Sequence, residues 1–217
     1  MSFKVVIPAR LGSTRLPQKV LRLIAGKPLV QHVWEAARRT GAEQVVIAAD
    51  DERVAKAARE FGADVRLTAA THQSGTDRVH EVARSEGWPG DTIVVNLQGD
   101  EPLMPPSLVR EAAQMLKDDP AADISTLCHP LHSAEEWLDP NVVKLVMDRR
   151  GYALYFSRAP IPWKRDAADP KQAAQHMPEG LAYRHIGLYG YRVASLNQFS
   201  ALPAAELEQC EALEQLR

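Results

Sequence analysis

Phe3-Lys4-Val5-Val6-Ile7-Pro8-Ala9-Arg10-Leu11-Gly12-Ser13-Thr14-Arg15-Leu16-Pro17-Gln18-Lys19 opens the chain, and its reading decides the fold. Residues 3–8 form a short β-branched run closed by proline, the pattern of a strand buried on both faces. Residues 9–19 follow as a polar, glycine-bearing loop. From Pro28 onward, Leu29, Val30, Val33, Trp34 and Ala37 recur at helical spacing, with Pro28 suited to a first turn and Gly41 to a stop. The unit is strand, loop, helix.

The same unit recurs downstream. Residues 44–49 read as a strand, Asp50 or Asp51 caps a helix running to Phe61, Gly62 stops it, and 64–67 is another short strand. The loop 68–75 precedes a helix over 76–85, 92–97 is a strand, and a helix spans 107–117. Strands alternating with helices of this length predict an α/β fold: a mixed, mostly parallel sheet with helices on both faces. Antiparallel additions are expected in the second half, where 123–128, 142–147 and 152–157 read as strands and Arg149-Arg150-Gly151 as a hairpin turn. Residues 159–180 carry four prolines and form a long excursion, 183–192 returns as a strand, and 205–217 reads as one amphipathic helix.

Composition narrows the function. The 217 residues are 45% hydrophobic, 25% charged and 6% aromatic, ordinary values for a globular protein and enough chain for one large domain. Lys plus Arg number 26 against 28 Asp plus Glu, a net charge of −2, so the basic excess of a nucleic-acid binder is missing. The apolar runs are far shorter than the ~20 residues of a membrane helix, which argues against membrane insertion, and the first residues lack signal-peptide character. Cys128 and Cys210 have no Cys-x-x-Cys spacing and are expected to be structural thiols in a reduced compartment.

Three loops follow expected strand C-termini, where open α/β sheets bind ligands. The first offers backbone donors around Gly12-Ser13-Thr14 and the cations Arg10, Arg15 and Lys19, a set suited to a polyphosphate. It has neither the three glycines of a dinucleotide fingerprint nor the Gly-Lys-Ser/Thr of a Walker loop. The third, Val95-Asn96-Leu97-Gln98-Gly99-Asp100-Glu101-Pro102, places an acidic pair past a buried strand; Asp100 is the candidate Mg²⁺ ligand and Glu101 the weaker one. Between them, Thr71-His72-Gln73-Ser74-Gly75-Thr76-Asp77-Arg78 could hydrogen-bond a base or ribose through Ser74 and the Gly75 backbone, and Arg78 could meet an anion; alternatively Ser74 or Thr76 is only a helix cap.

The Ser-Thr-Arg-Leu-Pro stretch with Lys19 resembles the signature of sugar nucleotidyltransferases. The resemblance tightens along the chain: His-Gln-Ser-Gly-Thr-Asp-Arg at 72–78, Asn-Leu-Gln-Gly-Asp-Glu-Pro at 96–102, Asp-Pro-Asn-Val-Val-Lys at 139–144, Tyr-Phe-Ser-Arg-Ala-Pro-Ile-Pro at 155–162, His-Ile-Gly-Leu-Tyr-Gly-Tyr at 185–191 and Leu-Glu-Gln-Leu-Arg at 213–217. In that order they resemble the CMP-Kdo synthetases, the 3-deoxy-manno-octulosonate cytidylyltransferases. The resemblance implies a nucleotide-diphospho-sugar transferase-like (Rossmann-like) α/β fold and one nucleotidyltransferase domain over 1–217, with a sugar-binding and dimerisation subregion about 123–192. It further implies CTP and the sugar acid Kdo as substrates, Mg²⁺ as cofactor, and a cytoplasmic homodimer.

Carried over by position, it implies that Ala9, Arg10, Ser13, Arg15, Lys19, Ser74 and Gly75 contact CTP and that Asp100 binds Mg²⁺. Arg10, Lys19 and Asp100 are the expected catalytic set, and Arg78, Gln98, His185, Tyr189, Glu211 and Gln215 the expected Kdo contacts. On a strand His185, Gly187 and Tyr189 share one face, and on a helix Glu211 and Gln215 lie one turn apart. Leu207, Cys210, Leu213 and Leu216 read as one packing stripe, and Arg158 as either an active-site cation or the partner of a nearby acid. The family pattern continues beyond Leu-Arg into a segment whose aspartate joins the metal site, so a second carboxylate ligand is expected outside these 217 residues. A cytidylyltransferase for another acidic sugar, sialic acid or an amino-substituted Kdo, is the rival within enzymes, and a nucleotide-binding module without turnover the rival outside them.

Overall fold

The computed structural model describes residues 1–12, 16–167, 169, 177–178 and 180–217. Two compact units divide the chain: Met1–Ser125 with Leu188–Ala201, and Thr126–Gly187 with Leu202–Arg217. The expected subregion of 123–192 overlaps the second unit, which also takes in the last sixteen residues.

In the first unit, β1 (Lys4–Ala9) pairs in parallel with β4 (Gln44–Ala49) and with β6 (Ile93–Asn96), and β4 pairs in parallel with β5 (Asp64–Leu67). The last residues of β10 (Tyr183–Arg192) add an antiparallel strand, Tyr189 opposite Asn96 and Arg192 opposite Ile93. This unit is therefore a mostly parallel sheet with an antiparallel edge. Val5, Val6, Ile7, Val46, Ile47, Val94 and Val95 are wholly buried, the two-faced burial that a continuous apolar run demands. Val6, Val46, Ala48 and Val94 pack against Val79, Val82 and Ala83 of α3 (Gly75–Ser85) and against Val193 and Leu196 of the helix Val193–Ala201. On the other face, a Cβ at Gly190 would touch Ala112 and Leu116 of α4 (Pro106–Asp118), and α4 in turn meets α1 (Leu29–Arg38). Helices therefore cover both faces, and each buried aliphatic chain contributes on the order of 1.5–3 kcal/mol.

Local chemistry fixes where the helices begin. Asp51, rather than Asp50, caps α2 (Glu52–Glu60) by accepting from the Arg53 N–H at 2.9 Å. Ser74 caps α3 in a reciprocal capping box with Asp77, so α3 starts one residue earlier than its apolar pattern suggests. The hairpin of β2 (Leu23–Ile24) and β3 (Lys27–Pro28) and the helix 193–201 were not expected from sequence. The former is two residues a strand, too short for a period to register.

In the second unit, β8 (Lys144–Met147) pairs antiparallel with β9 (Ala153–Ser157) across the Arg149-Arg150-Gly151 turn and with Tyr183 and Arg184 of β10. β7 (Ile124–Pro130) pairs with β10, and the short α5 (Ala134–Leu138) buries Trp137 with Leu131 and Ala182. The expectation of one helix over 205–217 is corrected. The helix covers only Glu206–Glu211, Ala212 takes a left-handed φ of 50°, and a 3-10 turn over Glu214–Leu216 follows. Arg158 accounts for the break, because its guanidinium donates to the Glu211 carbonyl at 2.7 Å and to the Ala212 carbonyl at 3.4 Å, taking up acceptors that a longer helix would use. The stripe breaks with it: Leu213 and Leu216 join Leu145 and Phe156, while Leu207 and Cys210 are exposed. Among the described residues, no helix is long and apolar enough to cross a membrane.

Candidate active site

The first unit gathers its three loops at the carboxyl ends of β1 and β6. Gly99 packs so closely on β1 that a Cβ there would lie 2.6 Å from the Pro8 carbonyl oxygen, a clash with backbone that leaves room only for glycine. A Cβ at Gly75 would sit 3.1 Å from Pro8 Cγ and 3.4 Å from Gln98 Oε1, so the bend entering α3 packs against the end of β1 and the loop after β6. Three stretches far apart in sequence thus meet at one place. At Gly99 the neighbour is backbone, and at Gly75 it is the side chains of Pro8 and Gln98.

The charged groups are arranged around that point. Lys19, at the start of a 3-10 turn, places its Nζ 2.7 Å from Asp100 Oδ2, with both side chains substantially exposed. Arg10 is exposed at the end of β1, beside the wholly buried Ala9. Ser13 and Arg15 lie outside the described residues. The Ser74 hydroxyl accepts from the Asp77 N–H at 3.1 Å as the cap, which leaves its own proton free to donate. Gln98 donates to the Asn96 side chain at 3.2 Å, and Tyr189 stacks on Tyr191 with ring centroids 6.0 Å apart.

Asp50 is the residue that sequence reading missed. It sits past the end of β4, accepts from the Leu11 N–H at 2.8 Å, and accepts from the Arg78 guanidinium at 3.4 Å. Arg78, only 2% exposed, also donates to the Thr68 hydroxyl at 3.0 Å and the Ala69 carbonyl at 2.9 Å. The available signal was two adjacent acids at a strand end where one suffices for a cap.

The second unit holds the remaining expected contacts. Glu211 accepts from the Ser157 hydroxyl at 2.7 Å and the Tyr155 hydroxyl at 3.2 Å on one oxygen, and from the Arg158 N–H at 2.8 Å on the other. Burial pushes its carboxyl up, but the bonds from Ser157, Arg158 and Tyr155 outweigh that and hold it below its ordinary value. Arg158 also donates to the Pro140 carbonyl at 2.9 Å. Lys144, completely buried, donates to the carbonyls of Asp139 and Val142 at 2.7 Å and of Arg158 at 2.6 Å. Burial lowers its pKa. His185, whose Nε2 is 2.9 Å from the Thr126 hydroxyl and whose ring meets Phe156 edge-on, is pushed down to about 4 by burial and is neutral at pH 7. Gln215 falls in the 3-10 turn, not on a helix turn shared with Glu211.

Among the described residues no three acidic, histidine or cysteine side chains cluster as a ready-made metal site. Asp100 is an exposed hard-oxygen donor beside Lys19, and Glu101, the next residue, is exposed as well. That donor set fits an ion that takes one or two carboxylates from protein and the rest from phosphate and water.

A mostly parallel sheet whose strand-end loops carry the exposed cations Arg10 and Lys19 and the exposed carboxylates Asp100 and Glu101 has the fold and the charged groups of a nucleotidyltransferase. Residues 4–217 match the model of the cytidylyltransferase family. A 3-deoxy-manno-octulosonate cytidylyltransferase from Thioalkalivibrio sulfidiphilus is 54% identical over all of this chain and 86% of its own length. Another from Nitrosococcus oceani is 50% identical over all of this chain and 84% of its own length. A solved structure of CMP:2-keto-3-deoxy-manno-octonic acid synthetase complexed with CTP superposes with a TM-score of 0.87 at 44% identity, covering 99% of this chain and 83% of that one. A cytidylyltransferase from Leptospira borgpetersenii, at 14% identity and a TM-score of 0.58, shares the fold. The chain belongs to the cytidylyltransferase family, in its 3-deoxy-manno-octulosonate branch, and is an enzyme of the nucleotidyltransferase class.

Proposed function

We propose that this chain couples CTP to Kdo, forming CMP-Kdo and diphosphate for lipopolysaccharide assembly. The supporting observation is the meeting of the end of β1 at Pro8, the bend at Gly75 and the loop at Gln98, with Lys19 and Asp100 alongside. The sugar's anomeric hydroxyl attacks the α-phosphorus, the bond from that phosphorus to the bridging oxygen breaks, diphosphate leaves, and the hydroxyl proton passes to solvent. Arg10, Lys19 and the backbone at Gly12 hold the triphosphate and offset its charge, which is most of what such a reaction asks of protein.

Ser74 and Gly75 hold the nucleoside, Ser74 by the proton that its cap does not use. Gln98 and Tyr189 are the sugar-acid contacts we assign to the first unit. Asp100 would hold Mg²⁺, which when bound neutralises phosphate charge and orients the phosphates. Before any nucleotide arrives, Lys19 balances Asp100, and both groups can change partners because the pair is exposed. We place the enzyme in the cytoplasm, where CTP is available, as a homodimer. Diphosphate release from CTP, Mg²⁺ and Kdo tests the reading, with sialic acid and amino-substituted Kdo as alternative acceptors. Turnover with one of those in place of Kdo reassigns the sugar, and CTP binding without any turnover overturns the enzyme.

A further inference from the structure

We propose that Asp50 is the positioning residue of the first loop: its carboxylate, anchored by Arg78, sets the loop backbone that receives the triphosphate. This rests on the reading of residues 9–19 as a triphosphate cradle. Asp50 is mostly buried, and its two oxygens face different elements, one the Leu11 N–H at 2.8 Å and the other Arg78 at 3.4 Å. The Leu11 N–H belongs to the peptide that follows Arg10, so the bond fixes the backbone between that cation and Gly12, the donor assigned to phosphate.

The anchor is itself tied down. Arg78 leaves α3 one turn after the Ser74 cap and donates to Thr68 and Ala69, just past the end of β5. Thr68 in turn donates through its hydroxyl to the Ala49 carbonyl at 3.1 Å, next to Asp50. The network therefore joins the ends of β4 and β5, the start of α3 and the phosphate loop. A buried guanidinium with every charged and carbonyl partner inside the fold is a brace. Its link to the first loop passes through Asp50.

The two oxygens separate two roles, which makes the proposal testable. Asp50→Asn keeps an acceptor for the Leu11 N–H but turns an amide toward Arg78, whereas Asp50→Ala removes both. Both variants should melt below wild type, because both leave Arg78 without its counter-charge. CTP affinity, measured by titration calorimetry without sugar, should fall about tenfold or more in Asp50→Ala and stay within about threefold in Asp50→Asn. The KM for Kdo at saturating CTP should not move in either. If Asp50→Ala does not fold, Asp50→Ser, too short to reach Leu11, takes its place. Equal CTP affinity in the Ala, Asn and wild-type proteins overturns the proposal, as does an equal loss for CTP and Kdo. Wild-type protein that binds CTP yet turns over no sugar acid defeats the assigned reaction and leaves this test standing.

Discussion

Two networks of the same residue types behave in opposite ways. Around the loops of the first unit, Lys19 and Asp100 are exposed and pair with each other, and Arg10 faces solvent. In the second unit, Lys144 is closed on three carbonyls, Arg158 on three more, and Glu211 on three donors. An exposed ion pair stabilises a fold by about 0–1 kcal/mol, so it can be exchanged for a ligand at little cost. A buried cation saturated by backbone cannot be exchanged without leaving carbonyls bare. Residue type alone does not distinguish a binding group from a brace; the exchangeability of its partners does.

The largest test of that distinction is Asp100→Asn. If Asp100 is an exchangeable ligand, kcat/KM should fall at least a hundredfold, about 3 kcal/mol or more, while the melting temperature holds. Retention of more than about a tenth of wild-type activity at saturating Mg²⁺ would place Asp100 among the braces. Lys144→Met probes the opposite pole. Three carbonyls lose their donor at about 1–3 kcal/mol each, partly offset by the burial cost that the ammonium no longer bears, for a net loss of about 3 kcal/mol in denaturant unfolding. CTP affinity should not change. A variant as stable as wild type would show that the carbonyl cage adds nothing to the fold.

Much of the first unit was legible because its signals are local. Uninterrupted runs such as Val5-Val6-Ile7 announce two-sided burial, and strands alternating with helices announce the parallel sheet. What stayed illegible depends on contacts distant in sequence. The break at Ala212 follows from Arg158, more than fifty residues upstream, and the apolar stripe at 207–216 is helical in pattern alone. Asp50 and Asp51 look equivalent as letters; only the fold turns one to its own helix and the other to the loop after β1. Glu211 was expected on the sugar, and its three donors from β9 and Arg158 are invisible in a helical reading of 205–217.

Lys19→Ala gives a smaller effect, and its value lies in the contrast of two measurements. Because the pair with Asp100 is exposed, stability should change by no more than about 1 kcal/mol. Charge-assisted contact to a triphosphate is worth about 1.5–3 kcal/mol, so kcat/KM for CTP should drop tenfold or more. A variant that melts markedly lower but keeps its CTP kinetics would reverse the roles assigned to the two networks.

The smallest effect concerns His185, which belongs to the braced side by burial yet carries no charge at pH 7. Its pKa is pushed from 6.5 to about 4 by burial, with the ring packed on Phe156 and Thr126. Between those values the unfolded chain takes up a proton that the folded chain refuses, so the unfolded state binds more protons and stability rises with pH across that window. The contribution is complete above about 6.5 and is lost as the pH falls toward 4. The full shift corresponds to about 3 kcal/mol, and for a side chain not wholly sealed from water we expect about 1–2 kcal/mol. Urea unfolding at pH 7 and pH 4.5, compared for wild type and His185→Gln, isolates it: the variant should lose less stability on acidification than wild type by that amount. Parallel losses in the two proteins would mean that His185 is protonated within the fold at pH 4.5, and would move it from the braced groups to those open to a ligand.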